Sequence, residues 1–159
     1  MDQHAAAEAW QIDPITSTIR PCDAIRDPVV MVVEEMPALG VAIAEVCDFL
    51  RIRVEHVSSA RELAQAMPHQ RPIAVLSEAR SIDCSVYDLL MAVASYDTAL
   101  PVLLVINDQP SQRGALDAAQ RLWQLTEVSR VGQRPGIRGL IDFLFLAGRK
   151  SGAERMLRA

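Results

Sequence analysis

Five consecutive apolar residues, Val29 to Val33, run straight into two adjacent carboxylates, Glu34 and Glu35, and then Met36 and Pro37. The run is rich in β-branched side chains, too short for a typical helix and too evenly apolar for a half-exposed strand. It predicts a strand buried on both faces, the kind that occupies the middle of a parallel sheet. In open parallel sheets, ligands and ions gather at the carboxyl ends of the strands. Two acids at that end mark a cation site or the remnant of one.

The pattern beyond this strand is regular. Leu39, Ala42, Ile43, Val46 and Leu50 recur at helical spacing. Ile52 to Val57 alternates apolar and polar, which suits an edge strand. Ser58 or Ser59 supplies a cap for a helix from about Ala60 to Met67. Two further apolar runs, Ile73–Leu76 and Val102–Ile106, follow Pro72 and Pro101. Helices are expected over Ser85–Ala94 and, capped by Ser111, over about Gln112–Gln124. A weaker strand spans Thr126–Val131, and a last helix carries Ile137, Leu140, Ile141, Leu144 and Phe145 with Gly148 near its end.

Five strands thus alternate with five helices, which implies right-handed βαβ crossovers and a parallel sheet. The first, third and fourth strands are apolar throughout and belong in the centre. The second and fifth are mixed and belong at the edges. The order 2-1-3-4-5 satisfies all five: a flavodoxin-like, doubly wound (βα)5 α/β fold. Its switch point lies between strands one and three, whose carboxyl ends carry Glu34, Glu35 and Glu78. Residues 1–27, with an Ala-rich patch and Pro14 and Pro21, read as an N-terminal extension, residues 28–150 as the domain, and 151–159 as a tail.

Composition removes several function classes. Net charge is −4 and the basic residues are scattered, so nucleic acid and anionic membranes are not expected partners. The N-terminus lacks the charged and apolar regions of a signal peptide, and no apolar run is long enough for a membrane span. Cys22, Cys47 and Cys84 lack metal or redox spacing, so a reducing cytoplasm is the natural setting. His4, His56 and His69 are far apart and read as structural or surface residues. The loop from Glu34 to Gly40 has no glycine-rich phosphate cradle, which weakens a nucleotide- or flavin-binding reading.

Four segments in order resemble the receiver domain of two-component response regulators. Val32-Val33-Glu34-Glu35-Met36-Pro37 resembles the hydrophobic run that ends in an acidic pair and proline. Pro72-Ile73-Ala74-Val75-Leu76-Ser77-Glu78 resembles the segment that ends at the phosphoacceptor Asp. Pro101 to Asn107 resembles the fourth strand, which in the family ends in Ser or Thr, and Arg134-Pro135 resembles the Lys-Pro after strand five. The resemblance implies a signalling domain rather than an enzyme. In the family the acidic pair holds Mg²⁺, a hard cation that takes oxygen ligands. Mg²⁺ and the lysine neutralise the phosphoryl group as it transfers to Asp.

Every chemical position departs from that pattern. The acidic pair is Glu34–Glu35, one methylene longer on each side, and the acceptor position holds Glu78. Displacing reacting atoms by about 1 Å costs on the order of 10²-fold in rate. A register slip would place Ser77 there instead. Ile106 stands at the switch hydroxyl, with Asn107 beside it, and Arg134 replaces the lysine. These departures favour a degenerate, stand-alone receiver that signals without phosphorylation, with Glu78 as a fixed charge paired to Arg134. The alternatives are phosphorylation at Glu78 with Mg²⁺ held by Glu34, Glu35 and Glu78, or a flavodoxin-like small-molecule binder. The expected partner is a protein: a histidine kinase, a phosphotransferase or another regulator. On the last helix Phe143 and Leu146 fall off the apolar stripe. They are covered by the N-terminal extension or form a homodimer or partner surface.

Overall fold

The computed structural model describes residues 27–34, 38–79, 84–107 and 110–151. The two ends of the proposed extension and tail, residues 1–26 and 152–159, lie outside them, as do Glu35, Met36 and Pro37. The elements are β1 (Val29–Val33), α1 (Ala38–Phe49), β2 (Arg53–Val57), α2 (Ala60–Gln70), β3 (Ala74–Ala79), α3 (Cys84–Tyr96), β4 (Val102–Ile106), α4 (Pro110–Leu122), β5 (Val128–Val131) and α5 (Ile137–Ser151). All four strand pairings are parallel, in the order β2-β1-β3-β4-β5. This is the arrangement that strand composition implies: β1 and β4 are buried along their whole length, whereas β2 and β5 are mixed.

The period-two alternation of the central strands divides the core into two layers. Val30, Val32, Ala74, Leu76, Leu103 and Val105 face α1 and α5, against Leu39, Ile43, Leu140 and Leu144. Val29, Met31, Val33, Val75, Val102, Leu104 and Ile106 face α2, α3 and α4, against Leu63, Leu90 and Leu116. Burying aliphatic side chains of this size contributes about 1.5–3 kcal/mol each, so both layers hold the sheet.

Several boundaries differ from expectation: α3 runs on to Tyr96, β5 starts at Val128, and α4 starts at Pro110, so that Ser111 lies inside the helix instead of capping it. Helix α2 runs three residues past Met67, with Pro68 inside it. A proline in the last turn removes only one intrahelical hydrogen bond, and Arg71 ends the helix in the left-handed conformation with its N–H on the Met67 carbonyl. Strand β3 continues beyond Leu76 through Ser77, Glu78 and Ala79, because Glu78 and Ala79 pair with Val105 and Ile106.

The apolar stripe of α5 is also rotated from its expected position. Its buried residues are Leu140, Leu144, Ala147 and Gly148, while Ile137 is 67% exposed. Ala147 and Gly148 are buried in the last turns, so the buried face includes small residues that the apolar stripe does not mark. Phe143 flanks the buried stripe and packs on the core layer with Ile141 and Phe145. Of the two residues that fall off the apolar stripe, Phe143 is half-buried, whereas Leu146 is 47% exposed.

Candidate functional site

The carboxyl ends of β1, β3 and β4 form a corner at the topological switch point. Glu34 directly follows β1, but its side chain is only 5% exposed. Its Oε2 accepts from the Leu39 amide at 2.6 Å and its Oε1 from the Gly40 amide at 2.8 Å. The first amides of a helix have no intrahelical partner and carry its positive dipole end. Glu34 therefore caps α1 with a charge-assisted pair of bonds.

A neighbour from β2 closes this arrangement. The parallel register sets His56 beside Val32, and the Glu34 amide donates to the Val57 carbonyl at 3.1 Å. The His56 ring then lies against Gly40: a Cβ added there would meet His56 Cε1 at 1.9 Å. His56 Nδ1 is 3.5 Å from Glu34 Oε1, close enough for an ion pair when the imidazole is protonated. The sequence marks His56 as structural or surface, and it is half-exposed with its ring on Gly40, a glycine to which the sequence assigns no role. A glycine in the first turn of α1, opposite a histidine in the β2 register, is the signal that finds them.

On the other side of the corner, Arg134 lies in the loop from β5 to α5, and its Nε donates to Glu78 Oε2 at 2.9 Å. Glu78 is on β3 and Arg134 follows β5, so the ion pair bridges the end of the intervening β4. At that end Ile106 is buried in the core layer and Asn107 is exposed. Ser77 is buried and its hydroxyl donates to the Val33 carbonyl at 3.1 Å, a bond between neighbouring strands rather than a surface nucleophile.

The structure thus brings Glu78 and Arg134 together and sends Glu34 to α1, while Glu35 lies outside the described residues. Among those residues no group of three His, Cys, Asp or Glu side chains converges as a metal site. The described donor set does not fit Mg²⁺: Glu34 is committed to two amides and Glu78 to a guanidinium. Cys47 is buried in α1, and burial pushes its thiol up to about 11, so it is an inert core group. Among the described residues no helix is long and apolar enough to cross a membrane.

No protein-family model matches the sequence, and no curated protein sequence is similar to it. Solved structures are similar in fold. The receiver domain of a putative LuxO repressor protein from Vibrio parahaemolyticus is 15% identical, with a TM-score of 0.61 over 84% of this chain and 99% of that one. The receiver domain of an HD domain-containing protein from Pseudomonas fluorescens is also 15% identical, with a TM-score of 0.61 over 81% of this chain and 100% of that one. A third similar structure is the receiver domain of a sensor histidine kinase from Pseudomonas aeruginosa, with magnesium coordinated in its active-site cleft. It is 16% identical, with a TM-score of 0.57 over 80% and 99% of the two chains. The strand order, the two-layered core and these likenesses identify the fold as that of response-regulator receiver domains.

Proposed function

We propose that the protein is an atypical receiver-like signalling module that works by contact with a protein partner and without phosphorylation. The observation that carries this reading is the Glu78–Arg134 ion pair across the end of β4. It ties β3 to the β5–α5 loop within the chain and occupies the carboxylate that would otherwise meet a phosphodonor. The buried Ile106 has no hydroxyl to draw toward a phosphoryl oxygen. Magnesium in the cleft of the Pseudomonas aeruginosa structure has no counterpart donor set in the capping geometry of Glu34.

The module acts, on this reading, as a non-enzymatic docking protein for a histidine kinase, a phosphotransferase or another regulator in the cytoplasm. Leu146 on α5 and Leu122 on α4 are exposed apolar residues suited to self-association. The test is incubation of the full chain with Mg²⁺ and acetyl phosphate, followed by intact mass. The expected result is no gain in mass. A stoichiometric gain of one phosphoryl group, lost in Glu78→Gln, overturns the proposal and favours a working acceptor.

A further inference from the structure

We infer that the groove between α2 and α3 is the seat of the chain's own N-terminal segment, with Trp10 as its anchor. Ala60, Ala64 and Pro68 of α2 and Met91 and Ala92 of α3 line a cavity of about 490 Å³ between the two helices. The four-residue spacing of the α2 set puts it on one side of that helix. Alanine at positions 60, 64 and 92 carries too little volume to close the space. Met67 is fully buried beneath it, whereas Met91 is 48% exposed and Tyr96, at one end, 37% exposed. Apolar side chains this open to water gain free energy when covered. A methionine wall also adapts its shape to an aromatic ring.

The point at which the chain enters the fold selects the occupant. Residues 1–26 lie outside the described residues and lead into β1 through Asp27 and Pro28. The Val29 carbonyl accepts from the Ile73 amide at 2.8 Å, and Ile73 follows closely on Arg71, the C-cap of α2. The segment therefore enters beside the end of the groove that Pro68 and Tyr96 line. Residues 11–27 span at most about 60 Å when extended, and α2 is about 16 Å long, so Trp10 reaches every point of the groove. Trp10 is the only Trp, Tyr or Phe before Phe49. Its indole N–H needs an acceptor when buried, and the Asp88 carboxylate and Ser95 hydroxyl line the groove. Asp2, Glu8 and Asp13, with no Lys or Arg before Arg20, make the segment acidic, and Arg61 at the groove supplies the opposite charge. A segment held on the same chain has an effective concentration on the order of mM, so a contact with a Kd of about 0.1 mM keeps the groove mostly filled. Phe143 of α5, on the other layer, already packs on the core and needs no such cover. Glu78 and Arg134 take no part in the groove, so the inference stands apart from the proposed function.

The experiment reads tryptophan fluorescence from the full chain carrying Trp123→Phe, in which Trp10 is the remaining tryptophan. The expected result is emission blue-shifted from that of the same chain in denaturant, with weak quenching by acrylamide. Ala64→Glu and Met91→Glu place a charge on either wall at exposed positions. Each should move the emission toward the denatured value and raise the quenching while the circular dichroism spectrum stays that of the parent. Val41→Glu, at an exposed position of α1, should change neither reading. Emission at the denatured value in the folded parent overturns the inference. A blue shift that survives in both groove variants overturns it as well. So does a blue shift that disappears on dilution, which would seat Trp10 in the groove of a second copy.

Discussion

Val29–Val33, Ala74–Leu76 and Val102–Ile106 are buried on both faces and built almost wholly of aliphatic residues. One or two residues further on, the same chain places three polar residues: Glu34 with its side chain tucked in, Glu78 partly exposed and Asn107 exposed. The first region depends on volume and periodicity and tolerates many sequences. The second depends on where single side chains point. Glu34 and Glu78 are both glutamates at strand ends. One is spent on the amides of α1, and the other is held by a guanidinium two strands away. The receiver-like fold thus carries at its corner two glutamates whose bonds are made within the chain.

Substitutions can test that contrast, beginning with the core. Leu76→Ala empties a fully buried site in the layer facing α1 and α5. Denaturant melts should show a loss of about 2–5 kcal/mol; a loss below 1 kcal/mol would mean the central strands are not the determinant of stability. Gly40→Ala drives a Cβ into the His56 ring. The half-exposed ring has to swing aside, so the net cost should be about 1 kcal/mol or less against the helix preference of alanine, and His56→Ala should remove it. No rescue in the double variant would break the link between β2 and the α1 cap.

Glu34→Ala removes the acceptor for two amides at the α1 terminus and should cost about 0.5–2 kcal/mol. Amide exchange at Leu39 and Gly40 should quicken. Cys47 links the core to pH. Burial raises its thiol in the fold from 9.0 to about 11, so the folded state favours the neutral form. Its stabilising effect is complete below about pH 9 and is lost as pH rises through about 11. Cys47→Ser should flatten that alkaline loss in thermal melts, and an unchanged alkaline limb would contradict it. Arg134→Ala should have the smallest effect on stability. Its pair with Glu78 is partly solvated and contributes only about 0–1 kcal/mol. A much larger cost would place the corner in the core.

The strand order was legible because burial and strand position are two faces of one pattern. Mixed runs such as Arg53–Val57 and Val128–Val131 sit at the edges, where one side meets water. The Glu78–Arg134 pairing was legible from the resemblance, although the residues are 56 positions apart. The α1 cap was not, because a carboxylate after a strand can reach into the cleft or toward the next helix. Periodicity does not distinguish the two. His56 acquires its place only once the β1–β2 register is known. The rotation of α5 was missed because Ala147 and Gly148 carry little hydrophobicity yet are buried.

The central claim is that the corner is already set in one conformation by Glu78 and Arg134. Backbone amide NMR shifts of the full chain, recorded before and after addition of Mg²⁺ and beryllofluoride, test it most directly. The account predicts unchanged shifts at Glu78, Ile106, Asn107 and Arg134. Saturable shifts at those residues, abolished by Glu78→Gln, would contradict it.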